Sequence, residues 1–177
     1  VGHGVIVDSL RRRPIRAGGL FPGALEIAKY FMNKGTIVYI SDSDGVRDVF
    51  EANGTALVPD SPLTILVDKG TASASEVLAG ALHDNGRARV LGETTFGKGL
   101  IQTVVPLSDG SAVSVTVARY QTPSGASINK VGIKPDGPLP SASSDANIGS
   151  SVELPGTSEA FCSIVSSNPE LYAKLFS

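Results

Sequence analysis

At 177 residues the chain is long enough for one domain, and a domain of this size buries roughly 70% of the surface its unfolded form exposes. Fifteen basic and 17 acidic residues give a formal charge of −2, and the one basic run is Arg11-Arg12-Arg13, so nucleic acid is not an expected partner. The single cysteine, Cys162, excludes an internal disulfide or a thiolate metal cluster, and no apolar run approaches the roughly 18 residues of a membrane span. Nothing at the start reads as a targeting peptide, and the first residue is Val, so the chain reads as a fragment or processed form.

In chain order, Val5-Ile6-Val7 is consistent with a short buried strand, and Gly18-Gly19 permits a tight turn. Pro22 suits the first turn of a helix, and Leu25, Ala28 and Met32, flanked by Ile27 and Phe31, carry helical spacing from Ala24 to Asn33 before Gly35. Thr36 to Ile40 reads as a strand. The Asp, Ser, Gly and Asn clusters of residues 41 to 61 suggest a loop or weak hairpin. Leu63 to Val67 is a second strand, Ala74 to Asp84 a helix closed by Asn85-Gly86, and Arg89 to Leu91 a further short strand. This alternation predicts an α/β fold with a mostly parallel sheet flanked by helices. Ile101 to Leu107 and Ala112 to Tyr120 flank the turn signal Ser108-Asp109-Gly110 and predict an antiparallel hairpin. We divide the chain into an N-terminal segment (1–17), a core (18–136), a Ser/Pro/Gly-rich linker (137–157) and a helical tail (158–177).

Two residues stand out chemically. Ser73 opens the second helix in Thr71-Ala72-Ser73-Ala74-Ser75-Glu76, and Lys98 sits in the glycine bracket Phe96-Gly97-Lys98-Gly99. The imidazoles offer little as a base for Ser73: His3 lies near the start, and His83 is ten positions along the same helix, about 15 Å away. Asp84 is about 16 Å away on that axis, which suits a helix-end cap or a salt bridge with Arg87. A lysine serves as base when burial removes its charge, because a neutral amine accepts a proton and an ammonium does not.

Plainer readings compete. Ser73 to Glu76 matches the S-x-x-E capping box, in which serine and glutamate bond each other's backbone N–H groups. That use is compatible with catalysis, since the unpaired N–H groups at a helix start can also stabilise an oxyanion. A lysine between glycines is ordinarily a solvated loop residue. Gln102 meets Lys98 only if residues 97–102 form a helical turn; on an extended segment the two stand about 13 Å apart and Gln102 is an ordinary strand residue. Gly18-Gly19 mostly makes turns, although a backbone N–H there can complete an oxyanion hole.

Taken together, Val67 to Glu76, Ala79-Gly80-Ala81-Leu82 and Gly92 to Gln102 closely resemble the carboxyl-terminal processing (tail-specific) serine protease family. The resemblance continues through Leu107 to Ser111, Thr122-Pro123-Ser124-Gly125 and Val131 to Asp136, and so covers roughly residues 18 to 140. It implies a crotonase/ClpP-like α/β peptidase core and a serine endopeptidase with a Ser-Lys dyad whose members stand 25 positions apart, which selects Ser73 and Lys98. Gln102 matches the residue that positions the lysine, and the backbone N–H groups of Ala74 and Gly19 match the oxyanion hole. No cofactor or metal is implied. Substrates are protein C-terminal tails, which a PDZ domain usually captures. Gly19-Leu20-Phe21-Pro22, Ala118-Arg119-Tyr120 and Glu159-Ala160-Phe161-Cys162 look most like the chloroplast branch, which trims the precursor of a photosystem II reaction-centre protein in the thylakoid lumen.

The chain departs from the family pattern in two respects. No PDZ-like segment precedes residue 18, and the usual Asp-Leu-Arg-x-Asn-x-Gly-Gly segment is replaced by the longer Asp8 to Gly19, without the Asn. A catalytically impaired, peptide-binding homologue is therefore the alternative expectation. A crotonase-like acyl-CoA enzyme ranks third, because it needs no serine and lysine at this spacing.

Overall fold

The computed structural model describes residues 19–60 and 62–138, so the expected strand at Val5 to Val7, the Asp8 to Gly18 segment, the linker beyond Pro138 and the tail lie outside the described residues. The elements run α1 (Phe21–Phe31), β1 (Lys34–Ser41), β2 (Val46–Asn53), β3 (Thr64–Val67), α2 (Ala74–Asp84), β4 (Arg89–Gly92), β5 (Leu100–Pro106) and β6 (Ala112–Gln121).

Pro22 sits in the first turn of α1, where its missing N–H costs no helical bond, and Lys29 in the last turn complements the helix dipole. Ala24, Leu25, Ala28 and Phe31 form the buried stripe of α1, which packs against α2. α2 matches the span expected from its sequence. Nearly all of it is buried, including Val77, Leu78, Ala79, Ala81 and Leu82. Ile37 and Val38 of β1, Ile65 and Val67 of β3, and Val90 of β4 complete the core around the two helices.

The sheets differ from expectation. β3 and β4 do pair in parallel, with Thr64 opposite Arg89 and Val67 opposite Gly92. The larger sheet has the order β2-β1-β6-β5, and each of its pairings is antiparallel. The reason lies in residues 42–45: the Asp42 N–H donates to the Gly45 carbonyl at 2.9 Å, turning β1 back onto β2 instead of into a crossover. Val46–Asn53, expected as a loop or weak hairpin, is thus a full strand. Its signal was faint because among its residues only Ala52 is fully buried and most face solvent. β6 then adds to the other edge of β1, with Ile40 opposite Tyr120, and β5 pairs with β6 as the expected hairpin.

The C-terminal end of α2 is tied down by a histidine between two carboxylates. His83 Nδ1 lies 2.9 Å from Asp84 Oδ1, and His83 Nε2 lies 3.1 Å from Asp136 Oδ1. Asp84 also accepts the Ser124 N–H at 3.0 Å, and Asp136 accepts the Val90 N–H at 2.8 Å, so the cluster joins α2, the 122–125 turn and β4. The salt bridge considered between Asp84 and Arg87 is not formed. Arg87 instead donates to the carbonyls of Phe31 and Val58, at 2.8 and 2.7 Å.

Burial disfavours a charge on His83, but its hydrogen bonds to Asp84 and Asp136, together with their negative charges, outweigh this and raise its pKa above the ordinary 6.5. A raised histidine pKa contributes stability that is fully present below about pH 6.5 and is lost as pH climbs through the folded-state value. The Asp84 and Asp136 pKa values move the other way. Burial raises them, hydrogen bonding wins, and their contribution disappears only as pH falls below 3.8. Thermal unfolding of the chain and of His83→Gln between pH 5 and 9 should therefore show a stability gap that is widest at the acid end and closes with rising pH. A gap that stays constant would mean that His83 is held equally well in both charge states.

Candidate active site

The link between β3 and α2 places Ser73 at the helix N-cap with φ +58° and ψ −120°. A non-glycine residue at positive φ costs on the order of 1–3 kcal/mol and persists only where its surroundings hold it. Here the surroundings are visible. The Asp68 carboxylate accepts the N–H groups of Gly70 and Thr71 at 2.8 and 3.0 Å, and the Glu76 N–H donates to the Ser73 carbonyl at 2.9 Å. The result is a strand, a strained turn carrying a serine, and a helix, which is the arrangement that exposes a nucleophile.

Glu76 organises the rest. Its residue is 0% exposed, and its carboxylate oxygens accept four hydrogen bonds. Oε2 takes the Ser73 N–H at 2.7 Å and the Lys98 N–H at 2.9 Å; Oε1 takes the Gly97 N–H and the Thr95 hydroxyl, both at 2.6 Å. Because Ser73 N and Lys98 N bond the same oxygen, they lie at most about 5.6 Å apart, despite a separation of 25 positions in sequence. The sequence pattern identifies Glu76 as the far arm of a capping box, and that arm is made. Its bonds to Thr95, Gly97 and Lys98 were missed. The available signal was an acid in the first turn of a helix that is otherwise almost wholly apolar or small, where a buried carboxylate must find partners.

The Lys98 loop is held from the other side by residues 128–133. The Lys130 N–H donates to the Gly97 carbonyl at 2.8 Å, and the Ile133 N–H donates to the Thr95 hydroxyl at 2.7 Å. A Cβ on Gly99 would collide with the Asn129 backbone and one on Gly132 with the Thr95 carbonyl. The glycines beside Lys98 therefore serve backbone approach.

The remaining expected residues are placed as follows. Ala74 is buried at the first position of α2, and its N–H meets no acceptor among the described residues, which leaves a donor beside Ser73. Gly19 has φ +73° and precedes α1, and no backbone hydrogen bond joins it to the Ser73 turn among the described residues. The Lys98 side chain is exposed, where a buried amine was expected, and no hydrogen bond joins it to Ser73 among the described residues. Gln102 lies on the extended β5 and not on a helical turn; its amide donates to Thr116 Oγ1 at 3.3 Å, so it does not orient Lys98 in this conformation. The structure thus unites Ser73, Ala74, Glu76 and the Lys98 backbone, and leaves the lysine and glutamine head groups apart.

Replacing Glu76 with Ala strands three backbone N–H groups and one hydroxyl in a buried setting. We expect a loss of roughly 3 kcal/mol or more in urea-induced unfolding. A loss below about 1 kcal/mol would indicate that water or another acceptor substitutes for the carboxylate.

Comparisons with known proteins give the family and the fold. Residues 3–139 match the model of peptidase family S41. The chain is 54% identical over 147 residues to carboxyl-terminal-processing peptidase 2, chloroplastic, of Arabidopsis thaliana, covering 82% of this chain and 26% of that protein. It is 59% identical over 119 residues to the C-terminal processing peptidase, chloroplastic, of Tetradesmus obliquus, covering 67% of this chain and 26% of that one. A solved structure, the photosystem II D1 C-terminal processing protease, superposes with a TM-score of 0.72 at 51% identity, over 86% of this chain and 37% of the other. The chain thus spans about a quarter of the length of these curated relatives. The chain belongs to peptidase family S41, a family of serine-type hydrolases, and its α/β core is that family's fold.

Proposed function

We propose that the chain is the catalytic core of a serine endopeptidase that cuts near protein C-termini, with Ser73 as nucleophile and Lys98 as its base. The observation that carries this reading is the shared oxygen of Glu76, which brings the two backbones to about 5.6 Å or less; a lysine side chain spans that gap readily. Ser73 Oγ attacks the peptide carbonyl while the uncharged Lys98 amine takes its proton. The oxyanion receives the unpaired Ala74 N–H and, in the full site, the Gly19 N–H. The tetrahedral adduct then collapses, the leaving amine takes a proton from the Lys98 ammonium, and water hydrolyses the acyl-enzyme.

In the conformation described, Lys98 faces solvent and the Gln102 amide is engaged with Thr116. Substrate binding is the step that removes water from Lys98 and draws its amine towards Ser73, since catalytic hydrogen bonds often tighten only in the bound complex. Release of Gln102 from Thr116 would free its amide to orient the lysine. The same exposure favours a second reading, in which this chain binds peptide without cutting it.

The names of the relatives support a proposal for substrate and place. By resemblance to the photosystem II D1 C-terminal processing protease and to the chloroplastic peptidases, we take photosystem II D1 as the substrate and the chloroplast as the compartment; the thylakoid lumen is carried over from the resemblance of the sequence to the chloroplast branch alone. In the family a PDZ domain usually captures the tail.

Incubation with an unstructured C-terminal peptide, followed by mass spectrometry, separates the two readings. We expect cleavage by the chain and a loss of about 10³-fold or more in both Ser73→Ala and Lys98→Ala. Equal product from Ser73→Ala would rule out the nucleophile. Peptide binding without product from the unaltered chain would establish the second reading.

A further inference from the structure

The loop that carries Lys98 alternates in burial: Thr95, Gly97 and Gly99 are buried, while Phe96 and Lys98 are exposed. The inward positions are occupied, by Glu76 for Thr95 and Gly97 and by the 128–132 backbone for Gly97 and Gly99. Phe96 and Lys98 therefore share the outward face. Phe96 is 66% exposed, although a phenyl ring is more stable out of water. Its N–H donates to the Thr71 carbonyl at 2.9 Å, which holds its backbone beside the segment that leads into Ser73.

Across from it, Val131 is 63% exposed. Its neighbours Lys130 and Gly132 are held against Gly97 and Thr95, so Val131 and Phe96 are the outward members of two segments packed backbone to backbone. Lys130 is exposed as well, and its φ of +63° places a non-glycine residue in the left-handed region beside this pair.

We propose that Phe96, with Val131 beside it, determines specificity by receiving an apolar side chain of the substrate within one or two residues of the bond to be cut. This rests on the peptidase reading of Ser73 and Lys98. Phe96 stands two residues before Lys98, and its N–H is bonded to the carbonyl of Thr71, two residues before Ser73, so a peptide laid over Ser73 passes its ring. A side chain adjacent to the reacting carbonyl thus falls over the ring. The occupant is apolar because it covers phenyl and isopropyl surface, and a basic side chain is disfavoured by the ammonium of Lys130 nearby.

The test uses the Ser73→Ala chain, so that binding is read without turnover. Fluorescein-labelled unstructured peptides carry a single Leu or Ser, moved through four positions about a fixed centre, and anisotropy gives their dissociation constants. We expect one position at which Leu binds roughly 10-fold more tightly than Ser, an advantage erased by adding Phe96→Ala and largely restored by Phe96→Leu, with unchanged unfolding midpoints. No Leu preference at any position, no measurable binding, or a preference that survives Phe96→Ala would overturn the proposal. Leu-selective binding to Ser73→Ala combined with no cleavage by the unaltered chain would instead remove the peptidase reading and leave Phe96 as a recognition residue.

Discussion

A single carboxylate buried at the start of α2 is the constraint on which the site depends. Glu76 accepts three backbone N–H groups and one hydroxyl, and those donors come from two segments, the Ser73 turn and the 95–98 loop, that are also joined by the bond from the Phe96 N–H to the Thr71 carbonyl. Hydrogen bonds to a buried carboxylate are stronger than neutral ones, and leaving the group unpaired is costly, so the arrangement is cooperative. If one segment moves away, the carboxylate loses its partners and destabilises the position of the other. The strain at Ser73, with φ at +58°, is held by this network and by the Asp68 turn before it.

The two ends of α2 divide the work. Its N-terminal turn supplies the strained serine, the unpaired Ala74 N–H and the organising glutamate. Its C-terminal turn is fastened through His83 and Asp84 to the 122–125 turn and to Asp136. Between them the helix is almost completely buried against α1, β1 and β4, so the site rests on a rigid element while its outward face, with Phe96 and Lys98, stays open.

Much of this was legible in the sequence. The bounds of α2 follow from Ser73 before it and Asn85-Gly86 after it, and the β5–β6 hairpin follows from Ser108-Asp109-Gly110 between two β-branched runs. β2 was not legible as a strand because Val46–Asn53 exposes most of its side chains and therefore lacks an apolar alternation. The antiparallel order of the large sheet depends on the 42–45 turn and on the distant pairing of β1 with β6, which no local pattern encodes. At the site, residue types and spacing pointed to Ser73 and Lys98, but the environment of the amine did not follow from them: the dull reading of Lys98 as a solvated loop residue describes its exposure correctly. Gln102 illustrates the same limit, since its partner depended on whether the backbone was helical or extended, and it is extended. Glu76 was half legible. Its local bond to Ser73 is a sequence signature, whereas its bonds to residues 19 to 22 positions away exist only in the fold.

Amide hydrogen exchange tests the Glu76 constraint most directly, because it reads each bonded N–H separately. The amides of Ser73, Gly97 and Lys98 should exchange slowly and with a common opening energy, although all three lie outside helices and strands, and Glu76→Gln should speed all three while Leu82, in the core, stays protected. Fast, independent exchange of Ser73 and Lys98 in the unaltered chain would contradict it, since the two reactive segments would then not be held by one group.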